Sequence, residues 1–172
     1  MKFFTRLFAS VFRKPRAPKT RAGKGIAGSA AAMAIAVSSI GAYEGLRTKA
    51  YRDVVGVWTV CYGETKGVEA GDRYSVAECD AMLSKEILSY EAQLDKCLTA
   101  EVPIAAKIAF VSWTYNVGAG AACRSTLVRK ANAGDLRGAC DELLRWNRAG
   151  GRVWRGLVNR RIDERKLCLS AL

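Results

Sequence analysis

The residues best suited to acid–base chemistry cluster in one stretch, YEGLRTKAYRDVVGVWTVCYGE, residues 43–64. Glu44 is followed nine positions later by Asp53, and Thr59 comes six positions after that. Two carboxylates in different surroundings can divide the work of breaking a glycosidic bond. One, protonated, donates to the leaving oxygen; the other, ionised, activates water or stabilises an oxocarbenium-like transition state. A hydroxyl beside them can orient the water. On spacing alone, solvated surface charge is the default reading of the same three residues.

Those residues can meet only if the backbone changes character between them. On one continuous helix Glu44 and Asp53 would lie roughly 180° apart, on opposite faces. The intervening RDVVGVWTVCYG is rich in β-branched and aromatic residues, with Gly56 as a turn point. Fully extended, Asp53 to Thr59 would span about 20 Å, so a hairpin returning at Gly56 is needed to bring Thr59 back beside Asp53. A helix end followed by a small β-hairpin gathers all three around one cleft.

Composition removes several alternatives. Histidine is absent, which excludes His-ligated zinc hydrolases, Ser-His-Asp triads and Cys-His peptidases. The six cysteines, Cys61, Cys79, Cys97, Cys123, Cys140 and Cys168, lack CxxC spacing, so they read as disulfides of an oxidising compartment rather than metal ligands, with the pairing left open. The chain of 172 residues suits one globular domain with an appendage. Its net charge of +12 is uneven. Residues 1–24 carry eight Lys or Arg and no acid, leaving twenty basic against sixteen acidic residues, a net +4, for the remainder.

Within that tail, Phe3, Phe4, Leu7, Phe8, Val11 and Phe12 recur at helical spacing between basic residues, as in a helix lying on an anionic membrane surface; a disordered basic tail fits equally well. KPRAPKTRAGK follows as a linker. Residues 25–43, GIAGSAAAMAIAVSSIGAY, are uncharged. As one helix they would extend about 28 Å, close to a hydrocarbon core of roughly 30 Å. With so much Ala, Gly and Ser, insertion would be marginal and reversible. A signal peptide cleaved after Ala42 and a soluble core helix are the competing readings. In either membrane reading the basic tail stays in the cytoplasm and Glu44 onward lies outside.

Further along, Ser75 and Glu78 stand in capping-box register ahead of a long helix running to Leu98. VPIAAKIAFVSWTYNVG reads as a buried helix with Pro103 in its first turn, Trp113 and Tyr115 in the core, and Gly118 and Gly120 at its end. Three shorter helices follow, in STLVRKANAG, DLRGACDELLRW and GLVNRRIDERKLCL, and the run Arg145, Arg148, Arg152, Arg155, Arg160, Arg161 reads as a solvated cationic face rather than a nucleic-acid site.

The first of these segments resembles the active-site stretch of the phage-type, T-even-like lysozymes, whose pattern is Glu, eight residues, Asp, five residues, Thr. VSWTYNVGAGAACRSTLVRKANAGD and LLRWNRAGGRVWRGLVNRRIDER agree with the same family in the same order, over residues 44–168. The N-terminal segment resembles that of the signal-anchor-release endolysins within it. The resemblance implies an α+β, mainly α, lysozyme-like fold, with a β-hairpin lobe and a helical C-terminal lobe joined by a long helix. It divides the chain into a basic cytoplasmic tail (1–24), a releasable membrane segment (25–43) and a muramidase domain (44–172). It implies Glu44 as general acid, Asp53 as the carboxylate that activates or positions water, Thr59 as a holder of that water, and Asn116 as a glycan contact. It implies the pairs Cys61 with Cys79, Cys97 with Cys123, and Cys140 with Cys168. Where many relatives place His after the hairpin Gly, this chain has Glu64.

The activity implied is cofactor-free, metal-free hydrolysis of the β-1,4 bond between N-acetylmuramic acid and N-acetylglucosamine by a monomer, inverting the anomeric centre and lysing the host. An inverting course asks for carboxylates roughly 6.5 to 9.5 Å apart. While residues 25–43 sit in the inner membrane, Glu44 is held at the bilayer surface and the enzyme is inactive; release to the periplasm frees the segment to fold onto the domain. The rival readings are a lytic transglycosylase and a non-catalytic membrane-anchored wall-binding protein.

Overall fold

A computed structural model of the protein describes residues 25–172. The expectations for the basic tail and its membrane-surface helix lie outside the described residues. Described structure begins with a single 3-10 turn, Ile26–Gly28, and a first helix α1, Ala30–Glu44, started by Ser29, whose side chain accepts the Ala32 N–H. The segment expected to span a bilayer is therefore a 15-residue helix that includes Glu44. Among the described residues no helix is long and apolar enough to cross a membrane. Ala32, Ala36 and Ile40, each four positions apart, point inward and are buried with Ile26 in the main core.

Gly45, at φ 77°, stops α1 and turns the chain into the hairpin of β1, Arg47–Arg52, and β2, Trp58–Cys61. The strands pair antiparallel, Tyr51 opposite Thr59 and Arg52 opposite Trp58, with a bulge before Tyr51. Gly56, at φ 83°, makes the turn expected of it. Ala50, Val60, Cys61, Val68 and Cys79 form a small second core beneath this lobe.

The long helix α2, Val76–Leu94, has the expected capping box: Ser75 Oγ accepts the Glu78 N–H, and Glu78 reaches back to the Ser75 N–H. It leads to α3, Ile104–Val117, with Pro103 at its N-cap and every residue from Ile108 to Thr114 buried. Trp113 is fully buried and packs edge-on against Trp146, with ring centres 5.1 Å apart. Tyr115 is half-buried and packs against the edge of the same core. Gly118 ends α3, whereas Gly120 lies inside a further short helix, α4, Ala119–Cys123.

Two more helices, α5 (Thr126–Asn132, capped by Ser125) and α6 (Leu136–Glu142, capped by Asp135), precede a two-residue-per-strand hairpin, β3 (Arg148–Ala149) and β4 (Arg152–Val153). The last helix, α7, Arg155–Leu169, packs chiefly on α3. All three cysteine pairs form as the resemblance implied: Cys61–Cys79, Cys97–Cys123 and Cys140–Cys168. The arginine run divides. Arg145, Arg148, Arg152 and Arg155 are exposed, but Arg160 and Arg161 are 4 % and 0 % exposed, a correction to the solvated face expected of them.

Candidate active site

Glu44 is the last residue of α1, so its side chain leaves the helix where the chain turns into the hairpin lobe. The carboxylate keeps about a quarter of its surface open. Arg160 Nη1 donates to Glu44 Oε1 at 2.8 Å. That guanidinium is itself fixed: Nε donates to Glu164 Oε1 at 3.2 Å, Nη2 to the Ser112 carbonyl at 3.2 Å, and the plane sits 5.1 Å from the Tyr43 ring centre.

Behind it, Arg161 donates from Nη2 to Glu164 Oε1 at 3.0 Å, and Ser112 Oγ donates to the same oxygen at 2.7 Å. Burial pushes the Glu164 carboxyl upward, while Arg161, Ser112 and Arg160 pull it back. Burial likewise lowers the Arg161 guanidinium, to about 10. One position before Glu44, the Tyr43 hydroxyl donates a short hydrogen bond to Asp163, and burial together with that carboxylate raises the phenol well above its ordinary value. The end of α1 is thus held to α7 by two neighbouring residues, Tyr43 and Glu44.

Asp53 sits at the hairpin turn. Its Oδ1 accepts the N–H groups of Val55 at 2.9 Å and Val57 at 2.8 Å, which folds the turn around the carboxylate. Its Oδ2 has no hydrogen-bond partner among the described residues. Thr59, 4 % exposed on β2, donates from Oγ1 to the Val57 carbonyl at 3.1 Å, leaving the oxygen lone pairs to accept. The strand register places Thr59 opposite Tyr51, two residues before Asp53, so the hairpin returns Thr59 to the strand that leads into Asp53. Asn116 is exposed on α3 and is not among the residues lining the depression described next.

Beside the hairpin lies a depression of about 260 Å³ walled by the Cys61–Cys79 bridge, Tyr62, Glu64, Glu86, Tyr90 and Tyr115. Burial raises the Tyr115 phenol to about 12, with the negative charge of Glu44 the next cause, so Glu44 and this wall are electrostatic neighbours. The Tyr90 and Tyr115 rings stand 5.0 Å apart, an aromatic wall of the kind sugar rings pack on. Glu64 keeps the hairpin end ordered: its Oε1 accepts the N–H groups of Thr65 and Lys66 at 2.8 Å, while the Val60 and Glu64 backbones bond to each other.

The sequence reading placed Arg160 and Arg161 on a solvated face and did not single out Glu164, whereas all three are buried. The signal was present in RRIDE, which places an acid four residues after one arginine and three after the next, the spacing of ion pairs along one helix face.

The phage lysozyme family model matches residues 41–164. The SAR-endolysin of Bacteriophage PS119 is 49 % identical over 127 residues, which cover 73 % of this chain and 76 % of that protein. That of Enterobacteria phage P21 is 42 % identical over 155 residues, covering 85 % of this chain and 94 % of its own. Among solved structures, the active form of the P1 phage endolysin Lyz superposes with a TM-score of 0.69 at 30 % identity, over 78 % of this chain and 83 % of that one. The lysozyme-like fold, mainly helical with a small two-stranded sheet, agrees with that expected from the resemblance.

Proposed function

The chain belongs to the phage lysozyme family, and on that premise we propose that it is a signal-anchor-release endolysin that hydrolyses the β-1,4 bond between N-acetylmuramic acid and N-acetylglucosamine in peptidoglycan. The observation that supports this reading is that the two carboxylates stand in unlike settings. Glu44 is held by a guanidinium at a helix end, and Asp53 has one oxygen tied into a turn and the other unbonded. Glu44 protonates the glycosidic oxygen as the bond to the anomeric carbon breaks. Asp53 takes a proton from the water that attacks that carbon from the opposite face, and Thr59 accepts a hydrogen bond from that water. Attack from the opposite face inverts the anomeric centre. Asn116 and the tyrosine wall contact the glycan.

Tethering turns the enzyme off because α1 is shared. With residues 25–43 in the inner membrane, Ala32, Ala36 and Ile40 leave the core and Glu44 cannot reach Arg160. Once the segment leaves the bilayer and docks as α1, the catalytic domain acts in the periplasm. Residues 1–60 contain no cysteine, so the switch is a change of solvent for one helix and not a thiol exchange from the anchor.

Digestion of purified peptidoglycan by the oxidised, released protein tests the chemistry. Reducing muramic acid ends of the inverted anomer are expected. Products lighter by one water, with 1,6-anhydro ends, would replace hydrolysis with transglycosylation, and lysis without cleavage would replace it with wall or membrane binding.

A further inference from the structure

Glu91 stands where the periodicity of α2 calls for an aliphatic side chain. The inward stripe of that helix runs Leu83, Ile87, Glu91, Leu94, and Glu91 itself is 5 % exposed. It makes no ion pair among the described residues. Burying a carboxylate is unfavourable unless it receives hydrogen bonds, and the one given to Glu91 comes from the other end of the anchor segment: the Ile26 N–H donates to Oε1 at 2.8 Å, in a fully buried contact. Gly25 lies against the same group, where an added Cβ would be 2.9 Å from Oε1. The Ile26 side chain is completely enclosed.

We propose that Glu91 is a positioning residue for the cleavage reaction. Its carboxylate receives the Gly25–Ile26 end of the anchor segment and sets the register in which α1 docks, and so where Glu44 is delivered. This rests on the reading that residues 25–43 leave a membrane. The helix is self-similar along its length. The face that α1 presents is drawn from AAAMAIAVSS, whose small side chains would fill the same groove nearly as well after a slip along the helix. A slip of one residue moves Glu44 by about 1.5 Å and turns it by about 100°, away from Arg160. Shape alone discriminates weakly among such registers, but a charge-assisted hydrogen bond is directional. Only the Gly25–Ile26 pair combines no side chain against Oε1 with an aliphatic group for the enclosed site. Before docking, the same carboxylate is open to water and loses nothing.

The test uses the full-length chain purified in its released form, comparing wild type with Glu91→Leu, Glu91→Gln and Gly25→Ala. Amide hydrogen exchange is read over residues 25–32 and over α3, and kcat and KM from reducing-end release. Glu91→Leu and Gly25→Ala are expected to speed exchange over residues 25–32 by roughly tenfold or more, leave α3 protected, and lower kcat at least about tenfold with KM little changed. Glu91→Gln keeps an acceptor oxygen and should recover most of the wild-type behaviour. Unchanged exchange in both disruptive variants, exchange accelerated equally in α3, or faster exchange at residues 25–32 with unchanged kcat would each overturn the proposal. If Glu91→Leu does not fold, Gly25→Ala and Glu91→Gln decide alone. A wild-type protein that releases no reducing ends would sink the hydrolase reading, and the exchange pattern would still show whether Glu91 holds the segment.

Discussion

Replacing Arg160 by methionine isolates what the buried charge network contributes, because the side-chain volume is nearly kept while the charge is lost. Arg160 is 4 % exposed and donates to three acceptors: Glu44 Oε1, Glu164 Oε1 and the Ser112 carbonyl. Removing one partner of a buried ion pair costs about 3–5 kcal/mol. Glu164 would keep Arg161 and the Ser112 hydroxyl, so the lower end applies, about 3 kcal/mol. At about 3 °C per kcal/mol for a chain of this size, Arg160→Met should lower the Tm by about 9 °C. Arg165→Met is the matched control. It breaks an arginine–carboxylate pair of similar length, 2.7 Å to Asp141, whose side chains are 37 % and 48 % exposed, and such pairs contribute about 0–1 kcal/mol. Thermal unfolding of the oxidised proteins, followed by far-UV circular dichroism, gives both shifts. Equal shifts in the two variants, or less than about 3 °C for Arg160→Met, would refute the view that burial decides the contribution. Loss of the Glu44 contact should also reduce wall clearing by Arg160→Met and leave that of Arg165→Met intact.

Three other outcomes follow from particular contacts. Gly41→Ala should destabilise by about 1–3 kcal/mol, although Gly to Ala in a helix interior ordinarily stabilises by about 1 kcal/mol. The new Cβ would lie 2.8 Å from the Tyr62 ring, which Asp80 holds through the phenol at 2.8 Å; chemical denaturation reads the sign, and adding Tyr62→Leu should reverse it. The Cys140→Ser, Cys168→Ser double variant opens a loop of sequence separation 28 and should lose about 3.5 kcal/mol, seen as a Tm lower by about 10 °C. Tyr115, raised by burial and then by Glu44 to about 12 from 10.0, stays protonated where an unfolded chain would ionise. Its contribution to stability is therefore whole below pH 10 and is lost as pH climbs toward 12. The tyrosinate absorbance difference between wild type and Tyr115→Phe should have its midpoint near that upper value, and a midpoint at the ordinary tyrosine value would contradict the assignment.

Local chemistry made much of the fold legible. Ser75 and Glu78 marked the start of α2, Gly56 marked the hairpin turn, and the angular argument between Glu44 and Asp53 required the break that Gly45 supplies. Elements too short to carry a period were missed. The five residues of α4 give little more than one turn, and β3–β4 left only its Gly150–Gly151 turn as a signal. Arg160 and Arg161 were misjudged because charge on a helix usually means solvent, and the compensating Glu164 has to be read together with them. Residues 25–43 expose a deeper ambiguity. A bilayer and a protein groove both favour an uncharged Ala-rich helix, so composition permits either home, and only Glu91 and the helix packing identify the groove. Spacing alone left Asp53 and Thr59 as ordinary surface residues and the family resemblance singled them out, while the turn that orients Asp53 depends on backbone amides that no side-chain pattern announces.

The rate at which purified peptidoglycan gains reducing ends under the released wild type, Glu44→Gln and Asp53→Asn tests the role of the two carboxylates most directly. Each variant removes one carboxylate while keeping its shape, and each should be slower than wild type by roughly 10²- to 10⁴-fold with its fold intact. Wild-type rates in either variant would show that the bond is cleaved without that carboxylate and contradict the assignment of the pair.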